Sequence, residues 1–382
     1  MRPLPLALAA LCATPLVALA DSDFDQQVRD AAEALMRDNG IPGLAIAVTD
    51  NSRQHFYQFG VADQASGQAV TGDTLFELGS ISKTFTATLA GYAQAQGKLS
   101  LTARTGDYLP ELAGTAFGKL SLINLATHTT GGMPLQFPDS VSDNASLFAW
   151  LKDWKPEHPA GTWRTYANPS IGMLGMIAAR QLQMPYRTAL QEHLLPGLGL
   201  RHTFIEVPKD QQALYAWGYD KNGQAVRVNP GVLADEAYGV KSSSHDLLRF
   251  VEANLGRIDL APPLKEALAQ THRGYFRRGA MTQDLIWEQY DDPLALQPLL
   301  DGNDNRTALL GAPVTAITPP LAPKPQVWLN KTGSTNGFGA YVALVPEKQW
   351  GIVILANRNY PNTERVKLAW RVFRLLESQA GQ

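Results

Sequence analysis

Strand-like and helix-like patterns are segregated along this chain, with strands at both ends and helices in the middle. Residues 44–49 form a short apolar run, and residues 54–61 can pair with it across a turn at Asn51. Apolar alternation returns near the other end and predicts three consecutive antiparallel strands, at residues 327–332, 339–345 and 350–356. Helical patterns dominate from residue 80 to about 200. The sequence therefore predicts a mixed α+β or α/β fold, in which an antiparallel sheet lobe is assembled from both termini.

Amphipathic helices are expected to flank this sheet at both ends of the chain. Residues 22–37 place their apolar side chains on one face, and the last helix shows the same spacing at Val366, Ala369 and Phe373. We expect the sheet lobe to comprise about residues 21–80 and 200–382. A mostly helical lobe of about residues 81–200 would be inserted.

The first twenty residues have the pattern of a cleaved secretory signal. A positive start precedes a mostly apolar stretch over residues 4–17, and Ala18-Leu19-Ala20 has the small-x-small pattern of a signal-peptidase site. Cleavage before Asp21 would deliver a soluble protein to the periplasm and would remove Cys12, the only cysteine. A lipid anchor at Cys12 is disfavoured, because a leucine precedes it where a small residue is expected.

Composition argues against several classes of partner. The chain has 382 residues, of which 45% are hydrophobic and 18% charged, as in ordinary globular proteins. Its 33 Lys and Arg, one of which is removed with the signal, face 35 Asp and Glu, so the mature net charge is near −3. This charge argues against nucleic acid and anionic membrane. The seven histidines show no close pairing, so no metal site is expected. We expect a monomer.

Ser80-Ile81-Ser82-Lys83 is the strongest chemical signal in the sequence. Residues three apart share one face of a helix, so Lys83 can lie against the Ser80 hydroxyl. Residues 84–96 read as a helix that Gly97 ends, which places Ser80 in the first turn, where free N–H groups favour negative charge. Desolvation or a second cation can lower the pKa of such a lysine until it accepts the serine proton.

Two further motifs carry side chains suited to the same chemistry. Tyr166-Ala167-Asn168-Pro169 offers a phenol, although the bland interpretation is a helix start with Asn168 as N-cap and Pro169 in the first turn. Lys331-Thr332-Gly333-Ser334 follows a predicted strand, where a cation and hydroxyl groups can face a substrate lying along the strand edge.

The three motifs, in this order, resemble those of the serine β-lactamase and penicillin-binding-protein superfamily, and most closely those of the class C β-lactamases, or cephalosporinases. The resemblance covers essentially residues 24–376 and is densest in five segments: residues 76–80, 131–136, 237–242, 330–341 and 355–362. It implies a β-lactamase-like fold with the active site between the two lobes, and an enzyme that hydrolyses the cyclic amide of cephalosporins and penicillins, which confers antibiotic resistance. It implies no metal and no organic cofactor.

Site roles follow from the resemblance, residue by residue. It implies Ser80 as the acylated nucleophile, with Lys83, Tyr166 and Lys331 in or beside the proton relay. Backbone N–H groups of Ser80 and Ser334 are the implied oxyanion hole. Further residues are implied to contact or line the substrate: Gln136, Asn168, Tyr238, Thr332, Gly333, Ser334 and Asn362. Whether Lys83 or Tyr166 accepts the proton during acylation stays open.

Two other patterns contain catalytic residue types. Ser142-Asp143-Asn144 lies 62 residues after Ser80, where a class A β-lactamase carries a Ser-Asp-Asn motif. Asp143 or Asn144 capping the next helix explains it more simply. Ser244-His245-Asp246 has the residue types of a hydrolase triad, but consecutive helical side chains diverge by about 100°. We interpret that segment as a helix N-terminus.

Residues 272–278 are more basic than the common class C pattern. With Glu288 and the loop through Asn305, they resemble the part of the pocket that meets the leaving side of a cephalosporin, while a solvated surface face explains them equally well. Two other functions stay open. One is a D-alanyl-D-alanine peptidase or esterase on the same scaffold. The other is a non-catalytic β-lactam-sensing domain that stays acylated.

Overall fold

A ten-stranded antiparallel sheet forms the centre of the protein in the computed structural model, which describes residues 23–380. From one edge to the other its strands are Thr315–Leu321, Gly274–Arg278, Met281–Gln283, Glu288–Asp291, Val327–Ser334, Gly339–Val345, Trp350–Ala356, Gly43–Thr49, Gln54–Asp63 and Gln68–Ala69. Gly43–Thr49, the first strand in the chain, pairs with Trp350–Ala356. The predicted N-terminal hairpin and the three C-terminal strands are therefore confirmed, and they join in one sheet.

The central strands are buried on both faces. In Trp350–Ala356, Ile352 and Ile354 belong to an apolar core with the first and last helices, whereas Val353 and Leu355 face the core on the helical side. Successive side chains of a strand point to opposite faces. Both faces of this strand are covered, so it reads as continuously apolar rather than as polar and apolar in alternation.

The longer helices surround this sheet and build the neighbouring helical layer. They are Asp23–Asn39, Ser82–Ala95, Asn144–Asp153, Asn168–Gln181, Ser244–Asn254, Pro262–Thr271, Leu296–Asn303 and Asn362–Ala380. Shorter α-helical segments are Thr105–Tyr108, Leu122–Ala126, Tyr186–Thr188, Leu195–Leu198, Ala234–Ala237 and Asn305–Leu309. Both flanking terminal helices are confirmed.

Three small antiparallel sheets connect loops around the core. Phe76–Glu77 and Thr203–Phe204 both pair with Lys241–Ser242. Ala312–Pro313 pairs with Trp163–Arg164, and Gly218–Tyr219 pairs with Ala225–Val226. The first of these sheets fixes the chain immediately before Ser80, and the second fixes the chain immediately before Tyr166.

The helix Ser82–Ala95 occupies the centre of the helical layer. It packs against Pro262–Thr271 and Asn168–Gln181, and Gly91 permits the close approach, because a Cβ there would lie 2.9 Å from the carbonyl oxygen of Ala267. The helix predicted over residues 84–96 is thus confirmed. Gly97 follows it with φ of +68°, the left-handed conformation that ends many helices.

One local expectation is wrong by one residue. Asn168 was expected as the N-cap, but it is the first helical residue, and Ala167 occupies the cap position without a side-chain hydrogen bond. The Asn168 side chain therefore does not cap the start of the helix. Of the two caps predicted for the next helix, Asp143 or Asn144, the structure shows Asp143, since its carboxylate accepts a hydrogen bond from the Ser146 N–H at 2.8 Å.

Residues 1–20, including Cys12, lie outside the described residues, so the predicted signal and its cleavage stay predictions. Between residues 23 and 380, no helix is both long and apolar enough to cross a bilayer.

Candidate active site

Ser80 lies in a single 3₁₀ turn, Gly79–Ile81, that leads directly into the buried helix Ser82–Ala95. Lys83 is one turn further along, and its ammonium donates hydrogen bonds to Ser80 Oγ and to the carbonyl oxygen of Ala237, each at 2.9 Å. The second bond ties the lysine to the Ala234–Ala237 helix. The predicted Ser–Lys juxtaposition is therefore present, with the amine aimed at the hydroxyl.

Lys83 has no exposed surface, and its environment changes its acidity. Burial disfavours the ammonium and lowers its pKa, the nearby phenol of Tyr166 acts in the opposite direction, and the charge of Lys331 lowers it further, to about 8. A lysine near this value holds its proton only weakly at neutral pH. Its neutral, proton-accepting form is therefore more populated at neutral pH than that of an ordinary lysine.

Tyr166 is placed by backbone contacts on both sides. Thr165 donates its N–H to the carbonyl oxygen of His128 at 2.9 Å, and the Ala167 N–H lies 3.3 Å from His128 Nδ1. The phenol ring is 8% exposed, and the ammonium nitrogens of Lys83 and Lys331 are each 5.1 Å from its centroid. The structure thus brings Ser80, Lys83, Tyr166 and Lys331 together around one small volume.

The two lysines shift the acidity of Tyr166. Burial raises its pKa, but the positive charges of Lys331 and Lys83 outweigh burial, and with the nearby Ser80 side chain they lower the pKa to about 8. Among residues 23–380 the phenolic oxygen has no partner with hydrogen-bond geometry. Lys83 and Tyr166 are consequently a coupled pair of weak acids with similar affinities for a proton.

The Lys331–Ser334 segment ends a long buried strand, Val327–Ser334. Lys331 is 2% exposed, and its ammonium donates to the carbonyl oxygen of Thr332 at 2.9 Å. Gly333 lies against the Ser80 turn, since a Cβ there would be 1.9 Å from the carbonyl oxygen of Leu78. Only glycine permits this approach, and it places Ser334 beside the Ser80 turn.

Arg365 holds the same segment from the other side. This guanidinium, from the last helix, is completely buried and donates to the carbonyl oxygen of Gly333 at 2.6 Å and to Ser334 Oγ at 3.0 Å. It also donates to Asn359 Oδ1 at 2.8 Å. Arg365 was not predicted as a site residue, because arginine on an amphipathic helix ordinarily faces solvent.

The other residues predicted to contact the substrate differ in their burial and in their hydrogen-bond partners. Asn168 and Asn362 are nearly buried, and each has a side-chain oxygen without a partner among the described residues. Gln136 is exposed, on a loop whose neighbour Leu135 accepts the Asn168 N–H at 3.0 Å. Tyr238 is half-buried, and its hydroxyl accepts the Gly231 N–H at 3.3 Å. Unpartnered amide oxygens are groups available to a bound ligand.

A buried arginine supports the tyrosine segment. Arg164 is 1% exposed and donates to Gln283 Oε1 at 2.6 Å and to Glu288 Oε1 at 3.1 Å. Its guanidinium carbon is 5.7 Å from the centroid of the Tyr166 ring. Sequence reasoning missed Arg164, and the only available signal was its position two residues before Tyr166.

The basic run 272–278 is not a uniform surface face. His272 is buried and donates from Nε2 to Asn254 Oδ1 at 3.0 Å, and burial lowers its pKa to about 4, so it carries no charge at neutral pH. Arg278 donates to the carbonyl oxygen of Leu310 at 3.3 Å, next to the Asn305–Leu309 helix. Asn305 Oδ1 in turn accepts the Asn362 N–H at 3.1 Å. Part of the run therefore supports the loop beside the site.

Neither of the two alternative motifs joins the site. Asp143 caps its own helix through Ser146, as described above. Ser243 is the N-cap of the helix Ser244–Asn254, as the interpretation of Ser244-His245-Asp246 requires. The Asp246 carboxylate accepts the His202 N–H at 2.6 Å, whereas His245 Nδ1 lies 3.0 Å from Asp73. The Ser244 hydroxyl donates to the carbonyl oxygen of Gly72 at 3.1 Å. Serine, histidine and aspartate thus have separate partners and form no relay.

His128 is a further buried neighbour that sequence reasoning did not select. Its ring centroid is 4.4 Å from that of Tyr166, and its backbone φ is +58°, which is uncommon for a residue other than glycine. Burial, and then the charges of Arg164, Lys83 and Lys331, lower its pKa well below the ordinary range. A neutral His128 adds no further positive charge beside Tyr166. Among the described residues, no three His, Cys, Asp or Glu side chains are grouped to hold a metal.

A serine hydrogen-bonded to a buried lysine, a tyrosine between two lysines and a glycine-lined strand edge are the arrangement expected of a serine acyl-transfer enzyme. The β-lactamase family model matches residues 28–377. A β-lactamase of Pseudomonas fluorescens is 48% identical over 356 residues, which cover 93% of this chain and 99% of that protein. The chain therefore belongs to the β-lactamase family.

Solved structures specify the class within the family. A class C β-lactamase in complex with cefoxitin is 48% identical, with a TM-score of 0.89 over 92% of this chain and 98% of that one. A β-lactamase/D-alanine carboxypeptidase from Pseudomonas syringae is 56% identical, with a TM-score of 0.91 over 92% of this chain and 99% of that one. The fold is the α+β fold of these proteins, and the chain is an enzyme of the class C type.

Proposed function

We propose that this protein hydrolyses the β-lactam ring of cephalosporins and penicillins through an ester on Ser80. This proposal is supported mainly by the position of Ser80 Oγ, which lies 2.9 Å from the Lys83 ammonium and beside a Tyr166 phenol that lies between two lysines. A nucleophile, a proton acceptor of matched acidity and a fixed cation are the groups that opening an amide requires.

In the proposed acylation, Ser80 Oγ attacks the lactam carbonyl carbon while its proton passes to the Lys83–Tyr166 pair. The negative charge on the former carbonyl oxygen is met by the backbone N–H groups of Ser80 and Ser334. The C–N bond then breaks, and the ring nitrogen takes up the proton. Either member of the pair can be the acceptor, since both have a pKa of about 8.

Deacylation then requires a water molecule in place of the serine. The same pair accepts a proton from water, the hydroxide attacks the ester carbonyl, and Ser80 leaves as its hydroxyl after taking that proton back. Lys331 supplies the cation for the substrate carboxylate, and Asn168, Gln136 and Asn362 supply amide groups. Thr332, Gly333, Ser334 and Tyr238 complete the proposed lining. No metal takes part in this proposal.

A second candidate function is supported by one comparison. The Pseudomonas syringae structure bears both names, β-lactamase and D-alanine carboxypeptidase, at 56% identity. Cleavage of a terminal D-alanine would use the same acyl-Ser80 ester, with an open peptide in place of the lactam. A β-lactam-sensing domain would instead keep its acyl group. The rate of deacylation separates these functions.

The test combines turnover and mass. We expect the wild-type protein to hydrolyse a chromogenic cephalosporin repeatedly and to show only a transient adduct by mass spectrometry. Ser80→Ala should form no adduct and should lose on the order of 10⁶ in rate, as for removal of a nucleophile. A Ser80→Ala protein that kept a tenth of the turnover would refute the assignment of the nucleophile. A stable wild-type adduct would favour the sensor.

We further propose export to the periplasm with residues 1–20 removed, a two-lobe division at about residues 80 and 200, and a monomeric state. Export is supported by the residue pattern of the first twenty positions. N-terminal sequencing of the mature protein should give Asp21, and light scattering should give the mass of one chain.

A further inference from the structure

The two proposed oxyanion donors belong to chain segments that touch each other. The Ser80 N–H is in the Gly79–Ile81 turn, and the Ser334 N–H is at the end of the strand Val327–Ser334. A Cβ at Gly79 would lie 2.5 Å from the Ser334 nitrogen. The backbones are therefore in van der Waals contact, and this contact sets the smallest separation that the two donors can have.

Steric contact resists approach but does not resist separation. Beyond Asn330, the strand Val327–Ser334 is paired only with Gly339–Val345, because its pairing with Glu288–Asp291 stops there. Within residues 23–380, no backbone hydrogen bond joins the Gly79–Ile81 turn to residues 331–334. Direct hydrogen bonds that resist separation of the two segments must therefore come from side chains.

The Glu77 carboxylate provides such a link between the Ser80 segment and the Ser334 segment. Glu77 lies three residues before Ser80 and is 1% exposed. Its Oε2 accepts a hydrogen bond from the hydroxyl of Thr335, the residue directly after Ser334, at 2.6 Å. Its Oε1 accepts from the Tyr215 hydroxyl at 2.6 Å and from the Val228 N–H at 2.7 Å. Hydrogen bonds to a buried carboxylate are short and strong.

The carboxylate is itself firmly placed. The backbone of Glu77 is paired with Lys241, and the guanidinium carbon of Arg227 is 3.8 Å from the centroid of the Tyr215 ring. Glu77 is thus fixed on the side of Ser80, and within residues 23–380 its second oxygen accepts a hydrogen bond from Thr335 alone. The bond to Thr335 is the one that crosses between the two halves of the oxyanion hole.

We propose that Glu77 is a positioning residue, which acts through Thr335 to hold the Ser334 N–H at the separation from the Ser80 N–H that the developing oxyanion requires. This inference rests on the proposed acyl-Ser80 chemistry. Oxyanion donors must lie about 2.7–3.1 Å from the charged oxygen, and losing one donor costs about 10²–10³ in kcat. A displaced donor should cost less than a lost one.

Thr335→Val tests the bridge, because it keeps the shape of the side chain and removes the hydroxyl. We expect kcat/KM for a chromogenic cephalosporin to fall by about 10- to 100-fold, within the cost of one donor, and Thr335→Ser to restore it to within about threefold. Tyr215→Phe is the matched control, because it removes a bond to the same carboxylate on the Ser80 side. It should lower the thermal midpoint comparably but leave kcat/KM within about threefold. Thr335→Ala replaces Thr335→Val if valine prevents folding.

A spectroscopic measurement separates positioning from a structural role. The infrared stretching frequency of a ¹³C-labelled acyl carbonyl on Ser80 reports the hydrogen bonds it accepts. We expect a higher frequency in Thr335→Val than in the wild type, and no change in Tyr215→Phe. Unchanged frequency and kcat/KM in Thr335→Val, or equal losses in both variants, would overturn the inference. Failure of the wild-type protein to form the adduct, or its formation in Ser80→Ala, would instead overturn the proposed function.

Discussion

At the scale of single residues, the site depends on three basic groups with different tasks. Lys83 is buried and loses part of its basicity, whereas Lys331 lies on the strand beside the phenol and contributes to the lowered pKa of both Lys83 and Tyr166. Arg365 is bonded to backbone and side-chain oxygens of the Gly333–Ser334 segment. Lys83 can exchange a proton, Lys331 makes the electrostatic potential at Tyr166 more positive, and Arg365 holds the position of the Gly333–Ser334 segment.

Lys331→Ala should move the acidic limb of the kcat/KM–pH profile to higher pH. The Lys331 charge lowers the pKa of Tyr166 and also that of Lys83, so its removal raises both values, whichever group is the base. A neighbouring charge at this range typically shifts a pKa by about one unit or more. Lys331→Arg, which keeps the charge, is the control. Weaker binding with an unmoved limb would show that Lys331 only holds the substrate.

Tyr166→Phe should reduce kcat by roughly 10²–10⁴, the range of a general acid–base group, while the ring packing is kept. The residual activity then identifies the base. Tyr166 raises the pKa of Lys83, so without the phenol the pKa of Lys83 falls. If Lys83 is the base, the remaining activity should have its acidic limb at lower pH than in the wild type. A rate within threefold of the wild type would remove Tyr166 from the mechanism.

At the scale of elements, the site is a junction of segments that are each short and separately anchored. The Ser80 turn enters a buried helix, the Tyr166 segment joins a two-residue strand to a helix, and the Lys331 segment ends a strand of the main sheet. Glycine permits contact between the first and the third of these. Residues 142–144 belong to a different helix start and lie outside this junction.

Ser142→Ala and Asp143→Ala should leave kcat/KM within about threefold of the wild type. The Asp143 carboxylate accepts the Ser146 N–H and hydroxyl, so its loss weakens a helix cap and should lower the thermal midpoint without affecting the chemistry. Steady-state kinetics beside thermal melts, with Tyr166→Phe as the positive control, check this. A large kinetic loss in Ser142→Ala would restore the class A interpretation of Ser142-Asp143-Asn144.

At the scale of the whole molecule, burial of titratable groups links stability to pH. His272 joins two helices through its bond to Asn254, and its pKa in the folded protein is about 4, against an ordinary value of 6.5. The unfolded chain therefore binds this proton first as the pH falls. The contribution of His272 to stability is fully present above pH 6.5 and is lost progressively between about pH 6.5 and 4.

His272→Gln should flatten this part of the stability profile. A glutamine amide can still donate to Asn254, but it does not titrate. We expect the difference in free energy of unfolding between wild type and variant to change by about 3 kcal/mol at most between pH 7.5 and 4, since each pKa unit corresponds to about 1.4 kcal/mol. Urea unfolding across this range measures the difference. Parallel curves for the two proteins would contradict a neutral, buried His272.

Local patterns in the sequence were enough to place the strands at both ends, the helix after Ser80 and the Ser–Lys spacing. These features depend on side-chain periodicity and on residues a few positions apart, which the chain carries in its order. The same local rules put the helix cap at Asn168, one residue later than the observed cap at Ala167, whose backbone N–H is held by His128, nearly forty residues away in the chain.

The sequence by itself therefore determined the family, the order of the elements and the residue types of the site. Only the tertiary structure decided that Lys83 and Tyr166 share a pKa of about 8, that His272 is uncharged at neutral pH, and that Glu77, Arg164 and Arg365 support the site. Burial and charge–charge distance set these properties. Both arise from contacts between residues far apart in the chain, such as the Lys83 ammonium with the carbonyl oxygen of Ala237, 154 residues away.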